Sequence, residues 1–304
     1  MMNGIINVLK PPGMTSHDII YFVRKKLKMK KVGHTGTLDP EAAGVLPVCV
    51  GKATKAVQYI TDKRKKYRTT VKFGIQTETF DKYGAAIETR EVEGIDMNHL
   101  QLVLQDFKGV IRQMPPIYSA IKLAGKKLYQ YALEGEEVEI QEREVEIFSI
   151  EIVDYNGKDE LVLDIECSKG TYIRSICHDI GVKMGCGAAM WQLIRLESTP
   201  FVIENSYTLE EIDRASLEGT IDNLLMSTDI IFKELSIINV KATARSAAIN
   251  GSPIYGKGII QEIGQYEAGT ETRIYCMDEF LGIGTIKYSS EEDRKYIKID
   301  KMFV

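Results

Sequence analysis

Residues 33–55, GHTGTLDPEAAGVLPVCVGKATK, pass from a glycine-rich loop into an apolar run. The glycines let the backbone turn sharply and pack closely. Asp39 stands directly before Pro40, which biases its backbone toward an extended conformation. The run Val45–Val50 that follows reads as a buried or edge strand, with Pro47 arguing against a central ladder position. A carboxylate is thus held on a stiff corner just ahead of a packed strand, which suits a nucleophile or general base. The same local chemistry also fits a turn aspartate bonding its own backbone. A phosphate-binding loop is excluded, because Ala53 follows Gly51-Lys52 and Leu46 stands where the earlier glycine is required.

The chain of 304 residues is 44% hydrophobic and 27% charged, in the range of globular proteins. No apolar run approaches the roughly 20 residues that span a bilayer. The first residues, MMNGIINVLKPPGM, do not read as a secretory leader. Cys49, Cys167, Cys177, Cys186 and Cys276 are scattered and odd in number, so no disulfide framework or zinc site is expected and the expected setting is cytoplasmic. The net charge of −4 hides an asymmetry. Residues 1–75 hold 15 Lys and Arg against 4 Asp and Glu, a balance of +11. Two runs concentrate it: Arg24–Lys31, with six cations in eight residues, and Lys63–Arg68, with five in six. One such run alone reads as a solvated face. Two flanking the same loop make a polyanion partner the stronger expectation.

In chain order, residues 4–9 read as a strand. Thr15 or Ser16 caps a helix with an apolar stripe at Ile19, Ile20, Val23 and Leu27. Ala53–Ile60 reads as a short helix and Tyr67–Phe73 as a strand. Asp96 caps a helix through Phe107. Residues 145–153 and 160–167 alternate like paired strands joined at Asn156-Gly157. A helix runs from near Thr171 to Met184, and Leu193 is expected in a further helix before Arg195-Leu196. Thr208 to Glu211 is a capping box that opens a helix to about Leu217. From about residue 236 the pattern shifts to short β-like runs with turns, which reads as a small β-barrel.

Several of these segments carry one resemblance. GHTGTLDPEAAGVLPVCVGKATK resembles, long and ungapped, the catalytic motif of the TruB family of tRNA pseudouridine synthases. Lys10–Asp18 (KPPGMTSHD), Tyr67 within KKYRTTVKFG, the segment Gly74–Gly84 and Gly170–Ser175 (GTYIRS) resemble further motifs of that family. Ala247–Gly251 and Phe280–Lys287 resemble, more weakly, a PUA domain, an RNA-binding module.

The resemblance implies an α+β fold: a pseudouridine synthase fold with a large mixed, mainly antiparallel sheet flanked by helices, plus a small C-terminal PUA-like β-barrel. The implied domains are a catalytic unit over 1–235, with a thumb-like insertion at about 112–146, and the PUA-like unit over 236–304. It implies isomerisation of uridine to pseudouridine at position 55 in the T-loop of tRNA after base flipping, with no cofactor and no metal. Asp39, Tyr67 and Arg174 are the implied catalytic residues, Arg174 pairing with Asp39. Lys10, His34, Tyr67, Tyr172 and Leu193 are implied at the substrate. Whether Asp39 attacks C1′, adds to the uracil ring or promotes elimination stays open. The expected partner is the T-arm of tRNA, with no membrane, no obligatory protein partner and a monomeric chain. The segment 134–146 has seven glutamates and one arginine, and is expected to face solvent rather than phosphates. An RNA chaperone, or a synthase guided by another RNA within a ribonucleoprotein, shares the charge pattern. A chaperone does not require Asp39, Tyr67 and Arg174 together.

Overall fold

The computed structural model describes residues 2–304. One nine-stranded sheet runs in the order Gly4–Lys10, Ala43–Val50, Ala188–Ser198, Lys65–Phe73, Glu160–Cys167, Arg143–Tyr155, Gly109–Gln113, with Val32–His34 and Phe201–Val202 attached at its side. Its ladders are antiparallel except where Ala43-Gly44 meets Ile194-Arg195 in parallel. That junction sets the loop 35–42 beside the strand Ala188–Ser198. Gly44 there has φ +112, and a Cβ would lie 2.2 Å from the Arg195 carbonyl oxygen, so only glycine lets the two backbones meet.

Two cores cover this sheet. The helix Ser16–Leu27 is capped by a reciprocal Thr15–Asp18 box and buries Ile19, Ile20, Val23 and Leu27 against Ile6, Val8, Leu46 and Val48. The helices Met97–Gln105 and Ile173–Lys183 cover the other half, packing Leu100, Val103, Ile176 and Ile180 onto Val71, Leu161, Leu163 and Ile165. The expected element types hold along most of the chain, with two differences. Leu193 lies in the strand Ala188–Ser198, not in a helix. Pro47 lies in an interior strand. Its carbonyl accepts from Thr35 on the side where Val32–His34 has ended and Ile194-Arg195 has not begun, so its missing N–H falls in a gap of the ladder.

Residues 114–142 leave the sheet as an insertion. They form a short hairpin, Lys122-Leu123 with Lys126-Lys127, and the helix Leu128–Glu134. Its root is pinned to the helix Ile173–Lys183 by Ser175 Oγ donating to the Met114 carbonyl at 2.9 Å. Residues 134–142 are mostly exposed, as their glutamates predict.

Beyond residue 235 five strands form a second sheet in the order Ser236–Val240, Glu271–Cys276, Glu279–Ser289, Arg294–Met302, Ile254-Tyr255. It curls into half a barrel rather than closing. The end of its edge strand Ser236–Val240 bonds residues 258–260, just past the other edge strand, and Ala248 of the short helix Arg245–Ile249 packs into its core. Phe280 and Ile283 of this sheet, and Phe303 just past its last long strand, share a core with Ile5, Val45, Phe201 and Phe232. No helix among the described residues is long and apolar enough to cross a membrane.

Candidate functional site

The loop from Thr35 to Ala42 is clamped from every side. Thr35 donates through its N–H and its hydroxyl to the Pro47 carbonyl, each at 3.2 Å. Ser16, in the first turn of its helix, accepts from Leu38 N at 2.9 Å and donates to Leu38 O at 3.1 Å. Lys10 is fully buried, and its ammonium donates to the carbonyls of Pro11, Pro40 and Ala42 at 2.8, 2.8 and 2.6 Å. Arg195, 1% exposed, donates from Nε to Val45 O at 2.7 Å and from Nη2 to Gly36 O at 3.2 Å. A short loop whose carbonyls are held by two buried cations is a rigid mount for one outward side chain, that of Asp39.

Asp39 faces Arg174 across the mouth of a cleft. Arg174 Nε lies 3.1 Å from Asp39 Oδ2, with the arginine side chain 7% exposed and the aspartate 43% exposed. The other guanidinium nitrogens bond Thr79 O at 3.2 Å and Tyr118 O at 3.1 Å, and Nη1 lies 3.6 Å from Asp81 Oδ2. Arg174 is therefore fixed by four groups from three segments, and it presents Asp39 without enclosing it. On one side of the pair is a narrow slot of about 90 Å³ walled by Asp39, Tyr67, Tyr172, Arg174 and Leu193. On the other, Asp39, Arg174 and Leu193 border an open cleft of about 740 Å³ with Asp81, Tyr118 and Trp191. The slot has aromatic and aliphatic walls and one carboxylate, which suits a single flat ring held beside a reactive oxygen. No group of three or more His, Cys, Asp or Glu placed to hold a metal occurs among the described residues.

The structure brings five of the expected residues to that slot and sets two elsewhere. Tyr67 comes from the central strand Lys65–Phe73, and burial pushes its phenol pKa up while the Arg195 charge opposes the rise. Tyr172 caps the helix that carries Arg174, its backbone held on both sides by the Gln113 amide at 2.8 and 2.9 Å. His34 lies on the strand Val32–His34 and its Nδ1 accepts from Gly36 N at 3.3 Å. Burial, then Arg195 and His17, lower its pKa, which keeps the imidazole neutral near pH 7. Lys10 lies beneath the loop and reaches the site only through its carbonyls. Sequence reasoning missed Ser16, Asp81 and Arg195. Asp81 lay inside the Gly74–Gly84 segment, and Arg195 two residues after Leu193, where strand spacing would have given both one face.

Burial lowers the Lys10 pKa from 10.5 to about 8, against the opposing pull of Glu41 and Asp39. Between those values an unfolded chain holds a proton that the folded chain has released. This group therefore makes folding more favourable as pH climbs from about 8 toward 10.5. The urea midpoint of the natural chain is expected to gain on that of Lys10→Met over this interval. Parallel pH dependences for the two would mean that the ammonium is solvated in solution.

The two basic runs differ in their surroundings. In the second, Lys65 is buried on the carbonyls of Ile60, Thr61 and Lys63. Lys63 pairs with Glu234 at 2.5 Å, Arg64 with Glu166 at 3.4 Å, and Arg68 with Asp164 through two bonds of 2.7 and 2.9 Å. Most of its charge is compensated within the fold. In the first, Lys26 pairs with Asp213, while Lys25, Lys28, Lys30 and Lys31 are exposed, with no carboxylate at ion-pair distance among the described residues.

Comparison with known proteins gives a consistent picture. Residues 24–173 match the model of the TruB family pseudouridylate synthase N-terminal domain, and residues 174–233 that of the tRNA pseudouridylate synthase B C-terminal domain. The chain is 46% identical to tRNA pseudouridine synthase B of Alkaliphilus oremlandii over 98% of its own length and 97% of that protein. It is 40% identical to tRNA pseudouridine synthase B of Clostridioides difficile over the full length of both. Among solved structures, a chain of an H/ACA RNP bound to a substrate RNA containing 2′-deoxyuridine is similar with a TM-score of 0.72 and 26% identity, covering 99% of this chain and 85% of that one.

Proposed function

Because the chain belongs to the TruB family of pseudouridylate synthases, we propose that it isomerises the uridine at position 55 of the tRNA T-loop to pseudouridine. The bond from ribose C1′ to uracil N1 breaks, the base turns, and C1′ bonds to C5. The C5 hydrogen leaves and N1 gains a proton, so the reaction needs no oxidant, reductant or nucleotide. The target base leaves the loop stack, because its reacting atoms are inaccessible inside it. It enters the slot between Tyr67, Tyr172 and Leu193, and His34 replaces its contacts in the RNA loop. Asp39 acts on the ribose–uracil unit, held by Arg174. Tyr67 stacks on the base and exchanges a proton with it. Lys10 serves by fixing the loop backbone. The observation that carries this reading is the Asp39–Arg174 pair at 3.1 Å on the wall of a slot that Tyr67 also lines.

The test is release of tritium from C5-labelled uridine in an unmodified tRNA transcript by the purified chain alone, followed by mapping of the modified position. Release from the T-loop uridine supports the reading. Tight tRNA binding without release overturns it in favour of an RNA chaperone. Release only in the presence of added protein partners or a guide RNA points to a ribonucleoprotein component.

The exposed run at Lys25, Lys28, Lys30 and Lys31 supports a phosphate-backbone contact there. Replacing these four lysines by alanine is expected to flatten the slope of log affinity against log salt by up to about 3.6, at about 0.7–0.9 per neutralised phosphate. Replacing Lys63, Arg64 and Lys66 is expected to change it less, since their own fold already neutralises them. Equal slopes for the natural chain and the four-lysine variant would remove that run from the interface.

A further inference from the structure

Arg195 is a buried cation without an anion. It is 1% exposed, lies at ion-pair distance from no carboxylate among the described residues, and spends its Nε and Nη2 donors on Val45 O and Gly36 O, one on each side of Asp39 along the loop. A buried charge is ordinarily paired, because desolvation costs more than carbonyl bonds alone return. The strand register sets Arg195 directly opposite Tyr67, so the two side chains leave the sheet on the same face within a few ångströms of each other. The Arg195 charge opposes the rise that burial causes in the phenol pKa, and its Nη1 makes neither of the two bonds to the loop. Gly44, without a Cβ, lets the Arg195 backbone pack directly against the strand that leaves the loop.

We propose that Arg195 is a positioning residue for the isomerisation, joining the Tyr67 hydroxyl and the loop that carries Asp39 into one rigid unit. The proposal rests on the pseudouridine synthase reading above. A guanidinium has donors and no acceptor. An N–H that it donates to the phenol oxygen fills a lone pair there and leaves the phenol proton to point into the slot, toward the base. The same positive charge stabilises negative charge that forms on the phenol oxygen when that proton moves. The other groups around Tyr67 are Lys65 on its own strand, Cys167 on the neighbouring strand, Asp39 on the loop, and Tyr172 and Arg174 at the helix start. Lys65 is tied to three carbonyls, and Arg174 to Asp39, Thr79 and Tyr118. Arg195 is the cation among them that the register brings opposite the phenol.

The experiment is a double-mutant cycle on single-turnover tritium release, with RNA affinity measured alongside. Arg195→Gln is expected to slow the single-turnover rate by about 100-fold with affinity changed by less than about threefold. In a Tyr67→Phe background the same change is expected to cost less than about tenfold, because its target is already gone. Carbon-13 resonances of labelled tyrosine, with Tyr67 assigned by its loss in Tyr67→Phe, give a second reading that needs no activity. The Tyr67 ring resonance is expected to titrate at higher pH in Arg195→Gln than in the natural chain. Additive costs in the cycle, with the Tyr67 resonance unmoved, overturn the proposal and leave Arg195 as a structural tie. If the glutamine variant does not fold, Arg195→Lys decides: it keeps the charge and loses the fork, so a rate equal to that of the natural chain overturns the proposal. A natural chain that releases no tritium is a failure of the synthase reading, and is distinct from these outcomes.

Discussion

Asp39→Asn is expected to abolish tritium release, lowering turnover by at least about 10⁴-fold, while tRNA affinity stays within a few-fold of the natural value. The substitution keeps the shape of the side chain and an oxygen that can accept from Arg174 Nε, and it removes the negative charge on which nucleophilic attack or base action by this group depends. Its cost to folding is small, because the Asp39 side chain is 43% exposed and its loop is held by Lys10, Ser16 and Arg195 through backbone groups that the change does not touch. Its cost to binding is small for a second reason. A carboxylate facing a polyanion opposes association, so its loss cannot weaken the phosphate contacts. Equal loss of affinity and turnover would show that Asp39 holds the RNA, and would defeat its assignment to chemistry. Retained turnover would move the reactive group elsewhere in the slot.

What the chain discloses as sequence follows from which interactions are local. The Asp39 corner, the Thr15–Asp18 and Thr208–Glu211 boxes and the paired strands ending at Tyr155 and Glu160 all rest on residues a few positions apart, and each stands where its pattern puts it. The strand Ala188–Ser198 does not read as one. It pairs on both edges and carries two bulges, after Met190 and after Arg195, which break the two-residue alternation that marks a strand. Between the bulges Leu193 and Arg195 keep the two-residue alternation and share a face, but so short a regular run cannot mark the segment as a strand from sequence. The buried cations were hidden for a different reason. Lys and Arg are rarely buried, so nothing local marks Lys65 and Arg195 as buried, and Lys10, expected at the substrate, shows its place beneath the loop only when the carbonyls that surround it are in view. The acids that neutralise the second basic run, Glu166, Asp164 and Glu234, lie roughly a hundred or more positions away from it. No window along the chain brings them together. The large sheet and the corner that carries Asp39 were legible. The frame that aims it was not, because it is made of long-range bonds to backbone oxygen.

Arg174→Met is expected to lower turnover by about 10³-fold or more and to destabilise the fold by about 3–5 kcal/mol, and the two losses have separate origins. The stability loss comes from Asp81, not Asp39. Asp81 is only 15% exposed and is fixed by Thr79 Oγ1 at 2.6 Å and Tyr83 N at 3.0 Å, so it cannot turn to water when its cation is removed. Asp39, nearly half exposed, can. Adding Asp81→Asn to Arg174→Met is therefore expected to restore part of the urea midpoint, because it removes the uncompensated charge. It is expected to restore no turnover, because Asp39 is still without the group that aims it. Arg174→Lys separates charge from shape. One ammonium cannot meet Asp39, Asp81, Thr79 O and Tyr118 O at once, as the guanidinium does at 3.1 to 3.6 Å. Stability is expected to recover most of the way, with turnover still lowered by about 100-fold. If Asp81→Asn rescues turnover along with stability, the two carboxylates compete for one cation, and Asp81 is then a brake on Asp39 rather than its support. If neither second change recovers the urea midpoint, the loss lies in the contacts to Thr79 and Tyr118, and Arg174 matters first as the tie between the insertion root and the loop.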